Sequence, residues 1–212
     1  KKPSNAAIFL VSILSYLIGI FPSMVFALPT GGTVQAGSAT INQPSSQKMT
    51  IQQTTKKAII DWQSFGIGSA EQVDFQLSQG GVTLNRVTGN DVSNIFGKLT
   101  SNGDLWLINP NGILFGANSQ VDVHGLLATT GDISNANFLS SNYNFGIPSS
   151  LSSTVINQGS ITAAEGGLVA LVAPGVQNMG IITARLGKVS LASGTTFTVD
   201  LYGDQLINLG VD

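Results

Sequence analysis

The stretch Leu99–Gly116, LTSNGDLWLINPNGILFG, alternates short apolar runs with turn residues. Asn102-Gly103 predicts a turn, because both residue types tolerate positive φ. The apolar run Leu105–Ile108 has the length of a strand. Asn109-Pro110-Asn111-Gly112 predicts a second turn, since Pro presets φ at the first central position and Asn and Gly suit the positions after it. Ile113–Phe115 resumes the apolar pattern, so we expect a chain that turns corners at short intervals.

The composition favours an all-β protein with a repetitive architecture. Charged residues make up only 9% of the 212 residues, and the chain has 25 Gly and no Cys. Helix-forming Glu, Lys and Arg are therefore scarce, which argues against long surface helices. The formal net charge of −2 argues against a nucleic-acid partner, because such a partner requires a basic surface.

A repeat predicts that these strands stack in coils. Residues 157–163 (NQGSITA) match residues 178–184 (NMGIITA), an offset of 178 − 157 = 21 residues. At the same offset, Gly166-Gly167-Leu168 matches Gly187-Lys188-Val189. Short β runs with glycine corners at this period predict a β-solenoid. At the usual spacing between strands, residues 60–212 would form about seven coils.

Earlier segments also alternate apolar and polar residues, as strands do. They are residues 40–43, 49–53, 73–77 and 82–87. In the segment between Ala58 and Gly68, strict alternation places Ile60 and Trp62 on one face and Phe65 on the other.

The first 27 residues have the features of a secretory signal peptide. Lys1-Lys2 precede an apolar run, and Val25-Phe26-Ala27 place small residues at the cleavage positions. The alternative is a retained membrane anchor, because the apolar run approaches the thickness of a bilayer. We expect one mature domain, residues 28–212, in which residues 28–58 cap the N-terminal end of the solenoid. The strand-and-turn pattern runs to the last residue, so we expect the protein to continue beyond Asp212.

Residues 132–154 interrupt the repeat and have two interpretations. The segment is either a loop extruded from the solenoid or a contact surface. In the second case the loop 134–148 would use its aromatic residues, Phe138, Tyr143 and Phe145, as anchors.

The sequence offers no catalytic constellation. His124 is the only His. Asp122 and His124 fall on the same side of a predicted strand, but the sequence contains no Gly-x-Ser-x-Gly motif that would supply a nucleophilic Ser. Gly66-Ile67-Gly68 lacks the third Gly of a dinucleotide fingerprint. With no Cys and one His, a zinc site is not expected. We therefore predict a protein that is not an enzyme and needs no cofactor.

A series of motifs resembles the secretion domain of two-partner-secretion exoproteins, also called the filamentous-haemagglutinin N-terminal domain. In order, they are IDWQSFGIG (60–68), VDF (73–75), LNRVTG (84–89), IFG (95–97), SNG (101–103) and INPNGILFG (108–116). The positions singled out by these motifs are Trp62, Phe65, Asn85, Arg86, Asn102 and Gly103. The Asn-Pro-Asn-Leu tetrapeptide of some family members is not found here.

The resemblance implies a right-handed parallel β-helix with an N-terminal β cap and extra-helical hairpins or loops. It also implies a role in export. POTRA domains of a dedicated outer-membrane β-barrel transporter would engage the domain in the periplasm, and the domain would nucleate β-helix folding at the cell surface. The expected product is a monomer, secreted or held at the cell surface, whose passenger beyond Asp212 would contact host cells or glycans.

Two questions stay open at this point. Asn109, Pro110, Asn111 and Gly112 form either a solenoid corner that shapes the fold or a direct contact with the transporter. The alternative function is a carbohydrate-binding or carbohydrate-cleaving β-helix. If the protein is an enzyme of this kind, it should show a row of acidic, basic and aromatic residues along one face of the solenoid. A third hypothesis makes the domain itself an adhesin that binds through the loop 134–148.

Overall fold

The computed structural model of the chain describes residues 28–200 and 207–209. Within these ranges the backbone forms nineteen strands and one short helix. None of the helical structure in the described part is long and apolar enough to cross a membrane. The predicted signal peptide, residues 1–27, lies outside the described residues.

Antiparallel strands cover the N-terminal end of the structure. Four strands lie here: β1 (Thr33–Ala36), β2 (Ala39–Ser45), β3 (Lys48–Gln53) and β4 (Lys57–Trp62). Strand β1 pairs antiparallel with β4, and β2 pairs antiparallel with β3. The segments β3 and β4 then pair in parallel with later strands, so they belong to the first coil.

The coils present three sheet faces, which we name A, B and C. Face A contains β3, β5 (Gln72–Leu77), the first part of β8 (Lys98–Ile108), the first part of β10 (Gln120–Thr129), β13 (Ser160–Ala163) and β16 (Ile181–Ala184). Face B contains β4, β6 (Val82–Val87), the second parts of β8 and β10, β14 (Leu168–Ala173) and β17 (Lys188–Ser193). Face C contains β7 (Ser93–Ile95), β9 (Ile113–Phe115), β12 (Thr154–Asn157) and β15 (Gly175–Asn178).

These parallel faces confirm the predicted fold class, an all-β parallel β-helix of about seven turns. The inner core explains why the sequence repeats. Val73, Leu99, Val121 and Ile161 pair in register along face A, and each is at most 2% exposed. Each such side chain contributes about 1.5–3 kcal/mol by leaving water, so every coil needs an apolar residue at the same position.

The internal repeat is confirmed in its first half and corrected in its second. Asn157 pairs with Asn178 and Ala163 pairs with Ala184, an offset of 21 residues. However, Leu168 pairs with Lys188 rather than with Val189, so the offset there is 20 residues. The corner after β16 spans residues 185–187, one residue fewer than the corner at 164–167.

Two predictions about local geometry are wrong. Phe65 does not lie opposite Trp62, because β4 ends at Trp62 and the chain bends before Phe65. Both rings enter the inner core, with their centroids 5.6 Å apart. Asn102-Gly103 is not a turn either, since β8 continues through it and only changes partner, from β5 to β6.

A segment leaves the coil after β10 and folds back onto the outside of face B. We call residues 132–147 the outer flap; it contains α1 (Asn135–Leu139) and β11 (Asn144–Phe145). Strand β18 (Phe197–Val199) pairs antiparallel with β11 and with β19 (Ile207–Leu209). The flap is therefore tied to a strand that lies about fifty residues further along the chain.

The aromatic residues of the flap form a second core instead of an exposed surface. Phe138, Tyr143 and Phe145 are 0%, 8% and 0% exposed. They pack around Trp106, with ring centroids 5.3, 4.7 and 5.7 Å from it. The hypothesis that these three rings anchor a partner is wrong, because outward apolar side chains on face B, including Trp106, bury them.

Candidate functional site

The motif Asn109–Gly112 forms a tight turn between β8 on face B and β9 on face C. The backbone N–H of Gly112 donates to the Asn109 carbonyl over 3.0 Å, which closes a four-residue turn. Gly112 has φ of 116°, a value that side chains disfavour, so glycine is required there. The turn predicted from the sequence is present, and it lies at a corner of the solenoid.

Asn109 is the structural centre of this corner. Its side chain is buried, and its Nδ2 donates to the Asp91 carbonyl and to Ser93 Oγ, each at 2.9 Å. Its Oδ1 accepts from the backbone N–H of Asn111 at 2.9 Å. The side chain thus joins its own corner to the corner of the preceding coil.

The next two residues of the motif face solvent. Pro110 and Asn111 are exposed, whereas Gly112 is buried. The Pro110 carbonyl accepts from Ser153 Oγ at 2.6 Å, and Asn111 Nδ2 donates to the Gly89 carbonyl at 2.9 Å. The motif therefore contains one buried side chain that connects two coils, Asn109, and two exposed residues, Pro110 and Asn111, which we call the exposed tip.

Trp62 and Asn85 pair inside the solenoid. The indole Nε1–H of Trp62 donates to Asn85 Oδ1 at 3.0 Å, and both side chains are fully buried. Asn85 Nδ2 in turn donates to Thr83 Oγ1 at 3.3 Å and to the Trp106 carbonyl at 3.4 Å. These hydrogen bonds satisfy the indole N–H of Trp62 and the side-chain amide of Asn85, which would otherwise be costly to bury.

Arg86 points outward and holds the base of the flap. Its guanidinium lies 3.2 Å from Asp61 and 2.9 Å from Asp132, and its side chain is 13% exposed. It also donates to the Ile133 carbonyl at 2.6 Å and to Asn135 Oδ1 at 2.9 Å. One planar cation thus connects face B to both the start of the flap and the first residue of α1.

Lys57 holds the other end of α1, a role that no sequence pattern indicated. Its Nζ donates to the carbonyls of Phe138 and Leu139 at 2.7 and 3.0 Å, and to Ser141 Oγ at 2.8 Å. These partners are more than eighty positions away in the chain. No local pattern connects residues at that separation, and the same is true of Asp132 with Arg86.

Asn102 and Gly103 bend β8 at the junction of faces A and B. Asn102 Oδ1 accepts from the Leu77 N–H at 2.6 Å, and its Nδ2 donates to the Leu77 carbonyl at 2.9 Å. The amide therefore replaces the backbone pairing that β5 loses at its end. A Cβ on Gly103 would lie 2.6 Å from the Gly81 carbonyl oxygen, so close packing requires glycine.

The motif residues do not converge on one pocket. Trp62, Phe65 and Asn85 are internal, Arg86 is under the flap, and Asn102-Gly103 lie at a different corner from Asn109–Gly112. Each has a role in connecting coils or in joining the flap to them.

The titratable groups of the described residues form no evident catalytic arrangement. His124 Nδ1 lies 2.7 Å from Asp104 Oδ1, with side chains 52% and 39% exposed. In the described part of the chain, no group of three or more His, Cys, Asp or Glu side chains is placed to hold a metal ion.

A family model and two relatives match this chain, and the family model extends over nearly all of the described residues. A family model described as "TPS secretion domain" matches residues 26–210. A heme/hemopexin-binding protein of Haemophilus influenzae (strain ATCC 51907 / DSM 11121 / KW20 / Rd) is 38% identical over 194 residues, which cover 87% of this chain and 21% of that protein. A further heme/hemopexin-binding protein of Haemophilus influenzae is 44% identical over 110 residues, 51% of this chain and 12% of that protein. The chain thus spans only a small part of the length of these relatives.

A solved structure shows the same fold. The crystal structure of the HMW1 secretion domain from Haemophilus influenzae superimposes with a TM-score of 0.75 at 34% identity, covering 85% of this chain and 47% of that one. The similarity therefore extends to both sequence and architecture.

Proposed function

Because this chain belongs to the TPS secretion domain family, we propose that a dedicated outer-membrane transporter with POTRA domains recognises it in the periplasm and exports it. The observation that carries the proposal is the family match over residues 26–210. The motif residues support it, because each is fixed by contacts that belong to this architecture.

The proposal includes the route. A signal peptide at residues 1–27 would take the chain across the inner membrane, and the domain from residue 28 onward would then meet the transporter. The relatives are several times longer than this chain. We therefore propose that the domain carries a longer exoprotein to the cell surface or the medium, acts as a monomer and performs no catalysis.

The exposed tip of the Asn109–Gly112 corner is the proposed point of contact with the transporter. Pro110 and Asn111 are exposed next to the buried Asn109, so a partner can reach them without opening the fold. The corner and the contact interpretations of this motif are then compatible. Asn109 and Gly112 would shape the corner, and the exposed pair would be recognised.

A binding measurement with the purified periplasmic POTRA region of the cognate transporter tests this proposal. Pro110→Ala combined with Asn111→Ala should weaken binding several-fold while the variant keeps the strand circular dichroism of the parent. A matched control is Thr54→Ala combined with Gln79→Ala, two exposed residues at the corner between faces A and B. No binding by the parent chain would contradict the transporter proposal, and unchanged binding by the Pro110/Asn111 variant would contradict this contact point.

A further inference from the structure

Among the described residues, the outer side of face A carries mostly polar, solvent-accessible side chains, whereas the outer flap covers face B. Over the four coils from β3 to β10, two columns of polar side chains run along face A, one residue from each coil. The register of the strands places Lys48, Gln72, Lys98 and Gln120 in the first column. It places Thr50, Asp74, Thr100 and Asp122 in the second column. In the next two coils the first column continues as Ser160 and Ile181 and the second as Thr162 and Thr183.

Within these four coils the columns repeat every second coil, and the pattern ends at β13. The coils of β3 and β8 present Lys followed by Thr, and the coils of β5 and β10 present Gln followed by Asp. Since neighbouring strands lie about 4.8 Å apart, like residues recur at about 9.6 Å. The hydrophobic core requires only inward residues to repeat, so it does not account for an outward pattern of period two.

The charged groups of this face are available to a ligand. Lys48, Lys98 and Asp122 are exposed, and in the described part of the chain none of the three has an ion-pair partner. Asp74 accepts from Thr100 Oγ1 at 2.6 Å and from Gln76 Nε2 at 2.9 Å, so its carboxylate is held in place on the face.

We propose that face A binds a linear glycan that carries one carboxylate per disaccharide and lies along the solenoid axis. Lys48 and Lys98 would pair with successive carboxylates, because their spacing of two coils is close to the length of one disaccharide in an extended chain. Asp74 and Asp122 would accept hydrogen bonds from sugar hydroxyls, and Gln72 and Gln120 would donate to them or accept from them.

Other polymers fit this face less well. An extended polypeptide repeats its side chains about every 6.6–6.8 Å, which does not match two coils. A nucleic acid would bring closely spaced phosphates against Asp74 and Asp122, and like charges repel. The glycan is therefore the occupant whose repeat and charge spacing fit. This binding activity is additional to export and does not depend on the transporter.

Affinity electrophoresis of the purified chain tests the proposal with three polymers in the gel. Hyaluronan has one carboxylate per disaccharide, polygalacturonate has one on every sugar, and hydroxyethyl cellulose has none. We expect hyaluronan to retard the chain most, and we expect the retardation to fall as salt is added, because exposed charges are screened. Stronger retardation by polygalacturonate would mean that total charge, not spacing, governs binding, and would overturn the proposal.

Variants of Lys48 and Lys98 test whether the glycan binds at face A. Lys48→Gln combined with Lys98→Gln should weaken binding to hyaluronan about twofold to thirtyfold, the range expected for two exposed ion pairs. The matched control is Lys56→Gln with Lys188→Gln, which makes the same change in net charge away from face A. No retardation of the parent chain, or equal weakening in the two double variants, would overturn the proposal.

Discussion

At the residue scale, two asparagines of the family motif, Asn102 and Asn109, replace backbone hydrogen bonds where strands end. Asn109 bonds to Asp91 and Ser93 of the preceding coil, and Asn102 bonds to both backbone groups of Leu77. A solenoid must break its strands at every corner, and each break leaves backbone donors and acceptors without a ladder partner. Asn suits these positions because its amide both donates and accepts.

The two asparagines of the Asn109–Gly112 corner should therefore differ in their effect on stability. Asn109→Ala leaves buried polar groups without partners, and we expect it to lower the free energy of unfolding by about 3 kcal/mol. Asn111→Ala removes an exposed hydrogen bond to the Gly89 carbonyl and should cost about 1 kcal/mol or less. Urea unfolding followed by circular dichroism measures both. Equal losses of stability would contradict the conclusion that Asn109 is a buried connection between coils and that Asn111 belongs to the exposed tip.

The sequence predicted one of its two Asn-Gly turns correctly, and the difference has a physical cause. At Asn111-Gly112 the chain passes from one face to the next after Pro110, and Gly112 takes a positive φ. At Asn102-Gly103 the chain crosses between faces A and B within one continuous strand. Gly103 is required there for close packing on the Gly81 carbonyl, so composition alone could not distinguish a turn from a bend.

At the scale of elements, the outer flap is a separate unit fastened to the solenoid. Arg86 holds its first residues and Lys57 holds the end of α1. Its aromatic side chains pack on Trp106, and β18 pairs with β11. Few of these contacts are shared with the inner core, so the flap should open before the coils do.

Hydrogen–deuterium exchange of an Arg86→Lys variant checks this expectation. Lys cannot make the forked contacts that the guanidinium makes with Asp132 and the Ile133 carbonyl, so the flap should lose about 2 kcal/mol of local stability. Amides of residues 132–147 should exchange faster, while those of β8 and β10 keep the protection of the parent. Arg185→Lys, a change at an exposed arginine, is the control. Faster exchange spread evenly over all coils would show that the flap and solenoid open as one unit.

The flap was the least predictable element, because nothing periodic encodes it. Its interruption of the repeat was visible, but its aromatic residues were open to interpretation as exposed anchors. Their burial depends on outward apolar residues of face B, and those residues look like ordinary members of fully apolar strands. Leu168–Ala173 reads LVALVA, in which alternate residues serve the inner and the outer core.

At the scale of the whole molecule, the stacking of coils could be predicted from the sequence. The segments and side chains that lie on the outside of the coils could not. Each coil must place apolar residues on the same axis, so the repeat at residues 157–184 and the alternating strands were sufficient to predict a solenoid. Faces A and B have different outer sides: among the described residues, face B is covered by the flap, and face A is mostly polar and open. This difference depends on contacts between distant residues, such as Lys57 and Ser141, which are 84 positions apart.

Secretion of the chain from a Gram-negative host, measured with and without the cognate transporter, tests the central claim most directly. If the domain is a sufficient export signal, residues 1–212 will appear in the medium only when the transporter is present. The chain will remain in the periplasm when the transporter is omitted. Accumulation in the periplasm despite a functional transporter, or equal release without one, would contradict the proposed export role.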